Sequence, residues 1–474
     1  MTTRILGPFN RVEGDLEVHL DIAAGRVAAA RVNSPLYRGF EQMLPGKSLL
    51  DALVIVPRIC GICSVSQSAA AVAALRDLTG LTPPPNGRLA EQLVTACENL
   101  ADHLTHFYLF FMPDFARPVY RERPWFKAVE ARFKAVSGSA AADMLPARAE
   151  FMHLMGLMAG KWPHTLSLQP GGSSRPLEQA EILRLITLLH GFRRFLERHV
   201  FGDALEAVAG LDSRAALDAW RQGRRGDLAL FLDIADDLEL HKLGRATDRF
   251  LSHGAYGLFA AGVWDGEGGR QPLDPAAIVE DVSHAWMAGE TLPPADGLTR
   301  PLHDKADAYT WCKAPRYAGQ VMETGALARQ MVAGHALIRE CVAAHGGSVQ
   351  ARVLARLLEL AIVLPEMERW ARALTPGDVW CHHADLPDEG SGVGLVEAAR
   401  GALGHWLSVR NGRIENYQII APTTWNFSPR DEAGIPGALE QALAGMEIDT
   451  NDPMPVAVQH VVRSFDPCMV CTVH

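Results

Sequence analysis

The sequence has no apolar run approaching the roughly 18 to 20 residues that cross a bilayer, so direct membrane insertion is not expected. Positive charge is also in short supply. Lys and Arg number 45 against 55 Asp and Glu, a formal net charge of −10 over 474 residues. That balance excludes a basic surface for nucleic acid or anionic lipid. The opening Met1-Thr2-Thr3-Arg4-Ile5-Leu6-Gly7-Pro8 lacks the apolar core of a secretory signal, and a cytoplasmic location is expected. Internal repeats and low-complexity tracts are missing. What remains, 48% hydrophobic and 21% charged, is ordinary globular composition.

Eight cysteines in this length do not make a disulfide scaffold. Cys97, Cys312, Cys341 and Cys381 are isolated from one another and read as buried apolar residues. The other four form two pairs, Cys60-Gly61-Ile62-Cys63 and Cys468-Met469-Val470-Cys471, the second followed closely by His474. Terminal segments fray unless something ties them down. Four thiolates are the soft donor set that suits zinc, iron and other transition metals. Structural zinc modules place their pairs about 12 to 20 residues apart, whereas here roughly four hundred residues intervene. Spacing alone leaves zinc, an iron–sulfur cluster or another metal open. If both pairs serve one site, the ends of the chain meet, and residues 1–474 form a single domain.

Periodicity predicts a mostly helical α+β fold, with long central helices and small peripheral β-hairpins. Leu16, Val18, Leu20 and Ile22 alternate with polar neighbours before a turn at Ala24-Gly25, a hairpin pattern. An alanine-rich helix is expected around Ser68–Leu75. Leu89, Leu93, Cys97, Leu100, Leu104, Phe107, Tyr108 and Phe111 recur at three- and four-residue steps and mark a buried helical stripe. Further helices are expected over Leu177–Val200, over Gly325–Ala344, and from Ser348 towards Trp370 with a kink at Pro365. Asn411-Gly412 between alternating runs predicts a second hairpin.

The neighbours of the cysteines narrow the choice of metal. Arg58-Ile59-Cys60-Gly61-Ile62-Cys63 and Asp466-Pro467-Cys468-Met469-Val470-Cys471-Thr472-Val473-His474 resemble the two signature motifs of the nickel–iron hydrogenase large subunit. Arg11-Val12-Glu13-Gly14, Tyr37-Arg38-Gly39-Phe40-Glu41, Lys313-Ala314-Pro315-Arg316-Tyr317, Arg400-Gly401-Ala402-Leu403-Gly404-His405-Trp406 and Pro422-Thr423-Thr424-Trp425-Asn426 resemble further family segments, in the same order. The resemblance implies a nickel held by Cys60, Cys63, Cys468 and Cys471. Cys63 and Cys471 would bridge to an iron carrying carbon monoxide and cyanide. It also implies heterolytic splitting of dihydrogen, with Cys468 the first base and Glu13 the next proton carrier. Arg400 is expected over the metals and Asp114 as its partner, while Pro422 and Thr423 line the cyanide ligands. Glu41, a main-chain oxygen near Ile419, and His474 correspond to a magnesium site. A chain ending at His474 resembles the mature, trimmed form of the family.

Two positions depart from the commonest family pattern, which has histidine where this chain has Gln67 and Asp15. Gln67 can donate a hydrogen bond to a bridging sulfur but cannot titrate as histidine does. It resembles the regulatory, hydrogen-sensing subgroup, which signals to a histidine kinase; a respiratory uptake hydrogenase is the alternative. Ile62 and Phe110 are bulkier than the valine and leucine common in respiratory relatives, and are expected to narrow gas access to nickel. No further cysteine cluster could hold an electron relay, so an iron–sulfur small subunit is the implied partner.

Overall fold

The computed structural model describes residues 2–266, 269–449 and 452–473. The mixed, predominantly helical architecture expected from the sequence is what is found. Strands β1 (Thr2–Leu6), β2 (Glu17–Ala23) and β3 (Arg26–Asn33) form one antiparallel sheet, turning at Ala24-Gly25. Alternation buries Val18, Leu20 and Ile22 on the side facing the core.

Helix α1 (Ser64–Thr79) begins immediately after Cys63. It is longer than the expected Ser68–Leu75 and is buried along most of its length. Its alanines let it lie directly on strand β4 (Gly390–Ala398) of a second antiparallel sheet, with β5 (Gly401–Arg410) and β6 (Arg413–Ile420) following. The approach is so close that a β-carbon on Gly392 or Gly394 would overlap the carbonyl oxygens of Ala74 and Ala70. That contact sets where β4 ends, and so where Arg400, in the β4–β5 turn, is delivered. The predicted Asn411-Gly412 turn joins β5 to β6.

Helices α2 (Pro85–Thr105), α3 (Ser139–Ala159), α4 (Gln179–Phe195) and α5 (Val349–Ala373) make up the central helical body. The expected α2 stripe is buried from Leu93 to Phe111, with Leu89 half-buried. Phe107, Tyr108, Phe110 and Phe111 lie not on the α-helix but on a π-helical turn, His106–Phe111, that continues it.

One helix expectation needs correction. The helix expected over Gly325–Ala344 is two, Ala326–Ala333 and Ala336–His345, separated at Gly334-His335. α5 runs through Pro365 as one helix to Ala373, spanning the stretch expected from Ser348 towards Trp370. Proline interrupts one backbone hydrogen bond, and both turns beside it are held by a buried apolar face, with Val363, Leu364 and Met367 fully enclosed.

Candidate metal centre

The loop before α1 carries Cys60 and Cys63, and the segment after helix Val456–Ser464 carries Cys468 and Cys471. The four sulfurs lie within 4.8 Å of one another, all buried. Cys60 and Cys468 Sγ are 3.5 Å apart, Cys63 and Cys471 3.2 Å, and Cys468 and Cys471 2.8 Å. The expectation that residues from both ends share one site is met in this geometry.

Several local contacts hold the loops in register. Glu13 N–H donates to Pro467 O at 3.3 Å, and Met469 N–H donates to Glu13 O at 2.7 Å, a short parallel bridge alongside Cys468. Gly14 makes that bridge possible. Its φ is +80°, and an added β-carbon would stand 2.9 Å from Val470 Cγ1. Arg38 donates to Ile59 O and, at 2.6 Å, to Val470 O, so one guanidinium ties both cysteine loops together. Cys468 N–H donates to Thr423 Oγ1 at 3.1 Å, and Pro422 opens the short helix that carries Thr423.

On the α1 side, Glu98 of α2 accepts from Val65 N at 2.9 Å, Ser66 N at 2.9 Å, Ser66 Oγ at 3.0 Å and Trp162 Nε1 at 3.0 Å. Val65 N and Ser66 N are free N–H groups of the first α1 turn, which a carboxylate satisfies well. Burial nonetheless pushes Glu98 up to about 7.

Charge around the sulfurs is uneven. Hydrogen bonds from Cys468, Cys471 and Cys63 hold Cys60 well below the ordinary thiol range. Contacts with the other sulfurs, together with burial, push Cys63 up, and burial with neighbouring sulfurs raises Cys468 and Cys471. A bound transition metal makes all four deprotonate, because the thiolate is the ligand. The donor set fits such a metal.

Arg400 is fully enclosed beside the cluster. Its Nε donates to Asp466 O at 2.9 Å and its Nη2 to Asp466 Oδ1 at 3.2 Å, while Nη1 stands 2.8 Å from Asp102 Oδ2. The Nη1 contact lacks hydrogen-bonding geometry, which leaves donor capacity at that nitrogen. Burial raises Asp102 to about 7, whereas Arg400, His106 and Arg356 outweigh burial and hold Asp466 low. Asp114 is not Arg400's partner, contrary to the expectation. It pairs with Arg11 and Arg463, and His460 stands 3.7 Å away. The π-helical turn after α2 redirects the chain, so a residue nine positions past Thr105 belongs to a different cluster from Asp102.

Glu13 is half-buried. Burial and the nearby Cys60 raise its carboxyl, against the pull of Arg400 and Arg38. Gln67 is buried one turn into α1, while Asp15 is exposed. Ile62 is half-buried against the core, and Phe110 is half-buried with its carbonyl accepting from Arg11. Glu41 Oε1 accepts from Ile419 N–H at 2.7 Å, and Lys313 Nζ lies 2.8 Å from Glu280 and 3.1 Å from Gln418 Oε1. His474 lies outside the described residues.

The sequence reading missed Glu98, Asp102, His106 and Asp466. The first three recur every four residues along α2, a polar stripe that ordinarily faces solvent. Here that stripe is buried against the metal centre.

A buried four-cysteine centre with an enclosed arginine defines a transition-metal protein. Residues 38–122 and 117–474 match the family described as nickel-dependent hydrogenase. The chain is 27% identical to the periplasmic [NiFeSe] hydrogenase large subunit of Desulfomicrobium baculatum, covering 99% of this chain and 94% of that protein. It is 29% identical to the uptake hydrogenase large subunit of Azotobacter chroococcum mcd 1, over 99% and 95%. The reduced Ni-Fe-Se hydrogenase structure from D. vulgaris Hildenborough superposes with a TM-score of 0.85 at 29% identity, covering all of both chains. This protein belongs to the nickel-dependent hydrogenase family, as an enzyme of the large-subunit type.

Proposed function

We propose that this chain is the catalytic large subunit of a nickel–iron hydrogenase, with all 474 residues acting as one domain. The observation that carries the reading is the sulfur cluster beneath Arg400. Cys60, Cys63, Cys468 and Cys471 would hold nickel, with Cys63 and Cys471 shared with iron. When bound, that centre supplies the two-electron couple for heterolytic splitting of dihydrogen. The protein's own part is to take the proton and keep water out. Cys468 Sγ is the first acceptor, and Glu13, joined to Cys468 by the parallel bridge, is the next. A half-buried carboxyl raised above its ordinary value holds a proton more readily than a surface glutamate and is suited to pass one on. Arg400 Nη1 has capacity to donate to a cyanide on iron, with Pro422 and Thr423 beside it. Asp102 and Asp466 fix that guanidinium in place, whereas Asp114 pairs with Arg11 and Arg463 in a separate cluster.

A magnesium at Glu41 is the further ion proposed, although Lys313 Nζ already donates to Glu41, Glu280 and Gln418, so the ion would share those oxygens with an ammonium. The Ile419 main chain adjoins it and His474 is the further ligand proposed. Electrons leave through an iron–sulfur small subunit, as the large-subunit names of the relatives support. Gln67 favours a cytoplasmic hydrogen sensor that signals to a histidine kinase. Respiratory uptake is the second reading, favoured by relatives named uptake hydrogenases.

Infrared spectroscopy tests the centre. Carbon monoxide and cyanide stretches that shift under dihydrogen are expected, and their absence from metal-loaded protein would refute it. We also propose that Ile62 and Phe110 restrict dioxygen. Ile62→Val with Phe110→Leu should keep turnover yet recover less activity after timed air exposure, and equal recovery would place oxygen tolerance elsewhere.

A further inference from the structure

His405 of β5 sits buried between two partners. Its Nδ1 is 2.8 Å from Tyr417 Oη on β6, and its Nε2 is 2.9 Å from Gln67 Oε1 on α1. Gln67 Nε2 is fully buried and has no hydrogen-bond partner among the described residues. A buried unpaired amide nitrogen costs about 1 to 3 kcal/mol, so it needs an acceptor. The geometry of a helix indicates where that acceptor is. Helical side chains lean towards the N-terminus, onto residue i−4, and residue i−4 of Gln67 is Cys63, whose carbonyl accepts the Gln67 N–H at 3.1 Å.

The direction of the hydrogen bonds follows from the two ends. At one end a tyrosine hydroxyl must place its single proton, and His405 Nδ1 is the acceptor beside it. That puts the ring proton on Nε2, which donates to Gln67 Oε1. At the other end metal-bound thiolates only accept. The reverse order would strand the tyrosine proton and turn the amide oxygen towards negative sulfur. Thiolates around one metal at about 2.3 Å stand roughly 3.7 Å apart in tetrahedral geometry. Three of the sulfur pairs here, Cys60–Cys468, Cys63–Cys471 and Cys468–Cys471, are closer than that at 2.8 to 3.5 Å, so a bound metal would widen those pairs, and Cys63 with them.

We propose that Tyr417 and His405 are positioning residues that fix the Gln67 carboxamide so that its Nε2 donates a hydrogen bond to the Cys63 thiolate. This rests on reading the cluster as a thiolate metal centre. The relay does through an amide what an imidazole at position 67 would do alone.

Neutron diffraction from the holoprotein exchanged into heavy water tests the order directly. Deuterium is expected on His405 Nε2, on Tyr417 Oη facing Nδ1, and on Gln67 Nε2 facing Cys63. A deuteron on His405 Nδ1, or an amide oxygen facing the sulfur, would overturn the proposal. A second measurement is electron spin-echo modulation at paramagnetic nickel, with glutamine labelled at the amide nitrogen. Tyr417→Phe lets both imidazole tautomers and both amide orientations form, so the amide signal should fall about twofold. Gln67→Glu, which keeps the acceptor for His405, should abolish it at unchanged nickel content. An equal signal in parent and Tyr417→Phe would refute the positioning role. Absence of nickel would refute the metal reading instead, while the deuteron positions still decide the relay.

Discussion

Cys63 leads straight into a sixteen-residue helix, and the donors of that helix's first turn are held by one buried carboxylate, Glu98. Cys468 lies in an irregular segment held by a two-bond main-chain bridge to Glu13, by the Thr423 hydroxyl, and by Arg38 and Arg400 bound to the flanking Val470 and Asp466. One pair is thus anchored through the terminus of a helix on a single buried carboxylate, and the other through bonds spread over several residues, the guanidiniums of Arg38 and Arg400 among them. The difference matches the work proposed for each side. The helical pair serves as a fixed platform, whereas Cys468 must gain and lose a proton beside Glu13.

Four variants separate these roles. Glu13→Gln keeps the bridge, because the bridge is main-chain, but removes the proton carrier. Turnover and hydrogen–deuterium exchange should fall by roughly 10²- to 10⁴-fold with nickel content unchanged. Unchanged exchange would take Glu13 out of the relay.

Glu98→Ala attacks the platform. Several buried donors lose their acceptor together, and at about 1 to 3 kcal/mol each the loss should reach roughly 3 kcal/mol or more. Urea denaturation of the folded protein reads it, and a loss below 1 kcal/mol would show that α1 does not depend on this anchor.

Glu98 also gives the platform a pH signature. Its folded value of about 7 lies above the ordinary 4.5. The folded state therefore binds its proton more tightly, and that stabilising share is present below about pH 4.5 and lost as pH rises through about 7. Glu98→Gln should remove about 3 kcal/mol of that decline between about pH 5 and pH 8. The slope against pH is the readout, since the amide also changes the baseline.

Thr423→Val should have the smallest effect on stability, about 1 kcal/mol for one hydrogen bond. It should nonetheless alter turnover, because the lost bond holds Cys468. A larger loss of stability than in Glu98→Ala would reverse the comparison.

The platform was half legible in the sequence. Cys60 and Cys63, the alanines behind them and the apolar stripe of α2 are all periodic or paired, and the structure places them as that pattern implies. Glu98, Asp102 and His106 follow the same four-residue step, but a polar stripe on an amphipathic helix looks alike whether it faces water or a buried centre. Only the tertiary arrangement separates the two. Asp466 was in view beside Pro467 and Cys468, yet its pairing with Arg400 depends on where β4 ends, which sheet packing decides. Asp114 was misplaced because nothing in the local pattern announces the π-helical turn at His106–Phe111. The Gly334-His335 break was hidden by apolar spacing that continues across it.

The parallel bridge between Glu13 and Cys468 also has a consequence in time. The cysteines facing each other across the cluster are 408 positions apart. At about 5 to 20 residues per second, the first pair waits on the order of 20 to 80 s on the ribosome before the second is made. Throughout that interval Cys60 and Cys63 are two naked thiols with no counterpart, open to oxidation or to a more readily available metal. Binding by all four sulfurs is therefore a late event, and the nascent chain needs a reducing, metal-poor surrounding until Cys468 and Cys471 arrive.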